Sequence, residues 1–136
     1  MAEIQAGLKG TKEMVVERQD LASVMGNIGA EVLSTHRVLL LMELAAREAI
    51  EARLPEGKMT VGTFIRIRHL AAAPLGAKVR AEACLKRVEG RRLLFDVAVF
   101  DEIEKLAEGE NEQLIVSVDR FLSRLKNKKP PRFSRQ

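Results

Sequence analysis

The hydrophobic pattern of residues 34–54 predicts a long helix that the rest of the fold encloses. Its first half is apolar on nearly every side, whereas a surface helix carries its apolar residues in one stripe. Ser34 or Thr35 can cap its first turn, and Gly57 follows its end. The one acidic side chain in this apolar half is Glu43. Because apolar surroundings disfavour the charged form of a carboxylate, Glu43 is a candidate for chemistry.

Alternation of apolar and polar positions predicts five strands around this helix. A short strand over residues 11–18 precedes the helix, and residues 19–33 form a loop or a short irregular helix between them. Four strands follow, over 60–70, 77–86, 93–99 and 106–121. A tight turn at Glu89–Gly90 joins two of them, and the last is expected to bulge or bend near Gly109. In the 60–70 strand, one face carries Val61, Thr63, Ile65, Ile67 and His69.

A twisted antiparallel sheet that wraps the helix satisfies both patterns, because it covers an apolar helix and leaves the polar face of each strand in water. Small side chains at Ala77, Ala81 and Ala83 would allow the sheet to approach the helix closely. The sequence therefore predicts an α+β hot-dog fold, in which a five-stranded antiparallel sheet is wrapped around one long central helix.

The positive charge of the chain is concentrated in its last residues. The 136 residues carry 23 basic and 19 acidic side chains, a net charge of +4, but six of the basic residues and none of the acidic ones lie in 124–136. Residues 1–123 are predicted to form one domain, and 124–136 a basic, disordered tail. Nucleic acid is not expected as a partner, since the folded body carries no basic excess.

Composition also limits where the protein acts and which metals it binds. No apolar stretch is long enough to span a membrane, and the first residues do not resemble a signal peptide. The single cysteine, Cys84, cannot form an internal disulfide. These features predict a cytoplasmic protein without a membrane partner. Two histidines and one cysteine show no metal-ligand spacing, so no metal is expected.

The two histidines add candidates for a site. His69 ends the 60–70 strand on its inward face, and His36 lies at the helix start. An imidazole near Glu43 would stabilise the charged carboxylate and could accept a proton. Taken singly, His69 could be a core histidine bonded to a carbonyl group and Thr35 a helix cap. It is the combination of these side chains that indicates a functional site.

Three stretches of the chain share a pattern with a known family. They are the spacing of Thr35 and Glu43, the segment 61–76 with its His-Leu-Ala-Ala-Ala-Pro-Leu-Gly turn, and Val-Glu-Gly-Arg-Arg-Leu at 88–93. Together they resemble the fluoroacetyl-CoA thioesterase-like family of hot-dog proteins, over about residues 11–121. The resemblance implies hydrolysis of a small acyl-CoA to the free acid and CoA, by a homodimer or a tetramer. It implies no cofactor besides the CoA of the substrate.

The resemblance also implies roles for single residues. It assigns catalysis to Thr35, Glu43 and His69, and substrate binding to Gly62, Asn111 and Gln113. Where this chain has the last two, the family often has His and Arg, so a non-catalytic acyl-CoA binding protein is an alternative. An adaptor that binds through the basic tail is another. A hot-dog dehydratase would require a differently placed Asp–His pair, which the sequence does not show.

A mechanism follows from these residue types. Glu43, helped by His69, would activate water or attack the thioester carbonyl, and Thr35 would orient the carbonyl or act as a nucleophile. Within one regular helix, Thr35 and Glu43 would lie about 12 Å apart along the axis. We therefore expect Thr35 in the loop before the helix, folded back toward Glu43. Fluoroacetyl specificity is not expected, because residues 19–33 contain no aromatic side chain.

Overall fold

Helix α1 (Thr35–Ile50) lies against one face of a five-stranded antiparallel sheet in the structure, a computed structural model that describes residues 3–128. The order of the strands across the sheet is β1-β3-β4-β5-β2, so β1 and β2 are its edges. This is the hot-dog arrangement that the sequence predicts. Its elements are β1 (Lys9–Val15), α1, β2 (Lys58–His69), β3 (Lys78–Glu89), β4 (Arg92–Phe100), β5 (Lys105–Ser117) and α2 (Val118–Asn127), with 3-10 turns at Arg18–Asp20 and Glu51–Arg53.

Ser34, one of the two predicted caps, starts helix α1, but the sheet does not enclose the helix on all sides. Ser34 is its N-cap, and the Ser34 hydroxyl accepts a hydrogen bond from the Arg37 backbone N–H at 3.1 Å. The buried side chains of the helix are Val38, Leu41, Met42, Ala45, Ala46 and Ile50. Leu40, however, is 41% exposed, because α1 packs mainly on β1 and β3. The expectation of a fully enclosed helix is therefore wrong for the single chain.

Strands β3 and β4 confirm the predicted alternation. Every second side chain faces the core, and the buried ones are Val79, Ala81, Ala83, Leu85, Leu93, Phe95, Val97 and Val99. A two-residue loop at 90–91 joins the strands, and Gly90 adopts a φ of 62° there. Close approach to α1 also requires a glycine on β1, because a side chain at Gly10 would overlap the backbone of Ala45 and Ala49.

Strand β2 departs from the predicted alternation at a β-bulge. Its pairing with β5 shifts register between Gly62 and Phe64, which leaves Thr63 as an extra residue. An extra residue reverses the alternation, so Thr60 faces the core before the bulge and His69 faces it afterwards. The predicted inward face of this strand is therefore wrong at two positions, Val61 and Thr63.

Gly109 does not mark a bulge in β5, contrary to the expectation from the sequence. It pairs with Ile67 of β2 in unbroken register, and the β4–β5 register shifts instead between Val99 and Phe100. A side chain at Gly109 would overlap the carbonyl oxygen of Arg66. The glycine therefore serves the close approach of β5 to β2.

The chain after Ser117 is helical, so the prediction that the last strand extends to Phe121 is wrong. The Ser117 hydroxyl accepts a hydrogen bond from the Arg120 backbone N–H at 3.3 Å and caps α2. The physical reason lies in the spacing of the apolar residues beyond this cap, which is helical. These residues are Val118, Phe121, Leu122 and Leu125.

Most of the predicted basic tail is not part of the described chain. Helix α2 includes residues 124–127, and residues 129–136 lie outside the described residues. The disorder predicted for that end therefore stays a prediction. No helix within residues 3–128 has both the length and the hydropathy needed to cross a bilayer.

Candidate active site

The start of α1 and the end of β2 bring two predicted site residues together. Thr35 is the first residue of α1, and His69 is the last residue of β2. The Thr35 Oγ1 atom lies 2.9 Å from the His69 Nδ1 atom, which is a hydrogen-bond distance. The expectation that Thr35 belongs to the loop before the helix is wrong, because Ser34 supplies the cap. The Thr35 hydroxyl instead contacts the imidazole.

Burial favours the neutral form of His69. Desolvation lowers the pKa of His69 below its usual value, and the nearby backbone of Ala71 raises the pKa by a smaller amount. The Nε2 atom is buried and has no hydrogen-bond partner within residues 3–128. The other histidine, His36, is exposed. In the same described part of the chain, no group of three His, Cys, Asp or Glu side chains is placed to hold a metal ion.

Glu43 lies two turns beyond Thr35 on α1 and faces the bulge of β2. The Glu43 side chain is half-buried, and its carboxylate packs against Gly62 so closely that a Cβ atom there would overlap Oε2. Within residues 3–128 this carboxylate forms neither a salt bridge nor a side-chain hydrogen bond. The lack of a side chain at Gly62 is therefore what allows the carboxylate to reach the strand.

These two contacts are well separated within one chain. Thr35 and Glu43 are about 12 Å apart along the axis of α1. The β2 residues that they contact, His69 and Gly62 respectively, are roughly 20 Å apart along the strand. No hydrogen bond or salt bridge joins Glu43 to His69 in the described chain. The expected assistance of Glu43 by His69 is therefore absent within a single chain, because Glu43 packs against the middle of β2 at Gly62 and His69 is the last residue of that strand.

Asn111 and Gln113 lie on the inward face of β5 and are fully buried. The Gln113 side chain is hydrogen-bonded to the main-chain carbonyl oxygen of Glu43, to Asn111 and to Thr60. Thr60 is a residue that the sequence did not single out, and the only signal for it is a polar side chain two positions before Gly62. Substrate binding by Asn111 and Gln113 stays a prediction.

Comparison with known proteins identifies the family of the chain as a whole. The family model for fluoroacetyl-CoA-specific thioesterase matches residues 16–119. A curated fluoroacetyl-CoA thioesterase from Streptantibioticus cattleyicolor is 34% identical over 100 residues, which cover 74% of this chain and 72% of that protein. The chain belongs to this family.

Solved structures related to the fluoroacetyl-CoA-specific thioesterase family share the fold. A crystal structure of a variant of the fluoroacetyl-CoA-specific thioesterase superposes with a TM-score of 0.88 at 27% identity, covering 95% of this chain and 100% of that one. Another variant of that enzyme, in complex with acetyl-CoA, gives 0.87 at 28% identity, with 93% and 100% coverage. A thioesterase superfamily member from Thermus thermophilus gives 0.86 at 28% identity, with 93% and 94% coverage. These similarities confirm the hot-dog fold.

In this member of the fluoroacetyl-CoA-specific thioesterase family, the segment before α1 presents aliphatic side chains to solvent. Val24 is 55% exposed and Ile28 is 90% exposed. The segment is tied to the start of α1 by a salt bridge of 3.0 Å between Asp20 Oδ1 and Arg37 Nε. The salt bridge therefore fixes this segment to the start of α1, and the segment exposes aliphatic side chains before Thr35.

The stability of the fold is expected to depend on the protonation of His69. Because the pKa of His69 is lower in the folded chain than its unfolded value of about 6.5, the unfolded chain binds more protons between the two values. This contribution to stability is fully present above the unfolded pKa and is lost as the pH falls through the folded pKa. We expect the free energy of unfolding in urea to decrease from pH 7 to pH 5, and to decrease less steeply in His69→Gln. Equal slopes in the two proteins would contradict this assignment.

Proposed function

We propose that this protein hydrolyses the thioester bond of a small acyl-CoA and releases the free acid and CoA. Membership of the fluoroacetyl-CoA-specific thioesterase family supports this reaction. The observation that carries the proposal is the half-buried Glu43 carboxylate, which packs against Gly62 and keeps its oxygens available to a ligand. A carboxylate in such a position can accept a proton from water.

We also propose a homodimer, because pairing would join the two separated contacts into one site. Strand β2 is an edge of the sheet, so its outer side can pair with β2 of a second copy. In an antiparallel pairing with Gly62 opposite the partner's His69, the two residues would share a face and lie about 5 Å apart. Each site would then combine Glu43 and Gly62 of one protomer with the partner's Thr35 and the partner's His69.

In this composite site Glu43 acts as the general base. It removes a proton from water while the water oxygen attacks the carbonyl carbon of the thioester. The tetrahedral intermediate then breaks its C–S bond, and the CoA thiolate leaves and takes up the proton. The partner's Thr35, held by the partner's His69, donates a hydrogen bond to the carbonyl oxygen, on which negative charge develops.

The contact between Thr35 and His69 also supports a second route. In it, the Thr35 Oγ1 atom attacks the carbonyl carbon while His69 Nδ1 accepts the hydroxyl proton, and CoA leaves first. Glu43 then activates the water that hydrolyses the acyl-threonine ester. Mass spectrometry during turnover separates the two routes, because only the second adds the mass of an acyl group to the protein.

The acyl group that we propose is short, and fluoroacetyl-CoA is not singled out among such substrates. The relative from Streptantibioticus cattleyicolor is a fluoroacetyl-CoA thioesterase, but the segment before Thr35 in this chain carries aliphatic residues such as Met25 and Ile28. CoA enters as part of the substrate, and no further cofactor is proposed. We propose the cytoplasm as the compartment, since the free thiol of Cys84 is compatible with a reducing environment.

A panel of acyl-CoA substrates tests the proposed function. We expect the purified full chain to release free CoA thiol from short acyl-CoAs, such as acetyl-CoA and propionyl-CoA, without an added cofactor. Fluoroacetyl-CoA and octanoyl-CoA complete the panel and show how chain length and fluorine affect kcat/KM. Binding of acyl-CoA without release of thiol from any member would favour the non-catalytic binding protein and overturn the proposal.

A further inference from the structure

A buried network of hydrogen bonds connects β5 to both β2 and α1 beside Glu43. Thr60 donates a hydrogen bond from its Oγ1 atom to Gln113 Oε1 at 2.7 Å. The Gln113 Nε2 atom donates to Asn111 Oδ1 at 2.8 Å and to the main-chain carbonyl oxygen of Glu43 at 3.3 Å. Thr60 is 8% exposed, and the two amide residues are fully buried. The Gln113 amide oxygen and both hydrogens of its Nε2 atom therefore have partners inside the protein.

At its other end, the network is bonded to the bulge of β2 through Asn111. The Asn111 Nδ2 atom donates a hydrogen bond to the carbonyl oxygen of Phe64 at 3.0 Å. Phe64 is the residue at which the pairing of β2 with β5 resumes after the register shift, and Gly62 is the last residue before it. A bulge disrupts the regular ladder locally, so a side-chain donor at this point compensates for the irregular pairing.

The two ends of this hydrogen-bond network are bonded to the main chain of α1 and of β2. One end is bonded to the main chain of Glu43 itself, and the other is bonded to the strand segment that begins at Gly62, against which the carboxylate packs. Asn111 and Gln113 therefore fix both the main-chain position of Glu43 and the segment of β2 against which its carboxylate packs.

We infer that Thr60, Asn111 and Gln113 are positioning residues, which hold the Glu43 main chain and the Gly62 bulge in register for thioester hydrolysis. This inference rests on the proposed function of Glu43. It gives Asn111 and Gln113 a role that acts through Glu43, in place of direct contact with the substrate. Contact with substrate would require a buried amide to exchange its present partners, and an unsatisfied buried polar group is costly.

An apolar residue could fill the space of Gln113 but could not perform this role. It would leave the Thr60 hydroxyl and the Asn111 side-chain oxygen without their partner, and it would release the Glu43 carbonyl oxygen from β5. Networks of this kind fix a single arrangement only when every member is satisfied. The precise placement of a catalytic carboxylate matters because small displacements have large effects on rate.

The test uses Thr60→Val, which keeps the shape of the side chain and removes the donor to Gln113. We expect kcat to fall about tenfold while KM stays within about twofold. The change would misplace Glu43 in the transition state and leave the binding of substrate intact. Thr60→Ser, which keeps the hydroxyl, should restore most of kcat. Thr11→Val on the exposed part of β1 is the matched control and should retain wild-type kinetics.

Two further measurements separate positioning from a general loss of structure. In a Glu43→Gln background, Thr60→Val should lower the residual rate no further, because the network acts through that carboxylate. Amide hydrogen exchange should become faster at residues 62–65 in Thr60→Val but not in Thr60→Ser. This second readout needs no activity, so it still tests the inference if the chain releases no CoA.

The outcomes that overturn the inference are distinct from those that overturn the proposed function. A wild type that hydrolyses acyl-CoA and a Thr60→Val variant with unchanged kcat and unchanged exchange would contradict positioning. A rise in KM alone, in Gln113→Leu or Asn111→Leu, would support substrate binding instead. A wild type without hydrolysis would contradict the function, and faster exchange at residues 62–65 would then show only the structural half of the inference to be correct.

Discussion

Replacement of Glu43 by glutamine is expected to lower kcat for acyl-CoA hydrolysis by about 10³-fold, within the range typical for the loss of a general base. The side chain keeps its size and can still pack against Gly62, but an amide cannot accept a proton from water. Because the carboxylate has no salt-bridge partner in the described chain, its removal leaves no buried charge uncompensated. The measurement is steady-state release of CoA thiol.

The matched control for this variant is Glu51→Gln. Glu51 follows the last turn of the same helix and is exposed, so this change removes the same charge without touching the site. We expect it to keep wild-type kcat and KM. If Glu43→Gln kept more than about a tenth of wild-type kcat, Glu43 could not be the base in either route, because both routes require it to activate water.

The elements that could be predicted from the sequence are those with an uninterrupted pattern. The alternation is regular over 79–85 of β3 and 93–99 of β4, and the β3–β4 register shifts only beyond Leu85, so the burial of side chains such as Val79 and Phe95 follows from period two alone. The body of α1 is equally clear from its apolar residues, whereas the sequence left the cap open between Ser34 and Thr35 and the structure places it at Ser34. Such local signals suffice because each face of these elements meets only one environment.

The bulge in β2 could not be predicted, since an extra residue leaves no mark on composition. Val61 and Thr63 are β-branched and fit either face of a strand, so the sequence remains compatible with an unbroken alternation. The polar residue at Thr60 gains meaning only through its partner Gln113, which is 53 positions away in the chain. Long-range contacts of this kind arise from tertiary structure, which local periodicity does not describe.

Candidate residues for a site could be proposed from the sequence, but how the fold groups them could not. Thr35, Glu43 and His69 were predicted to form one cluster, and the fold divides them into two contacts. The division depends on how α1 crosses β2. Thr35 and Glu43 are about 12 Å apart along the helix axis, and the residues that they contact are roughly 20 Å apart along the strand. A second copy of the chain is the simplest way to bring the two contacts together.

Mixed dimers of two inactive variants should therefore recover activity. In a dimer of Glu43→Gln and His69→Ala chains, one composite site carries both changes, and the other carries neither. Equal mixing with free exchange of subunits makes half of the dimers mixed, each with one intact site of two, so we expect about a quarter of wild-type activity. The measurement is CoA release after the two variants are unfolded and refolded together.

The control is refolding of each variant alone, which should give no such recovery. A site built from a single chain predicts the opposite result, since every protomer in the mixture would then lack either Glu43 or His69. Sedimentation analysis of the mixture must show dimers, because a monomer with full activity would contradict the composite site directly. Recovery near a quarter would assign Glu43 and His69 of each working site to different protomers and explain why one chain holds them apart.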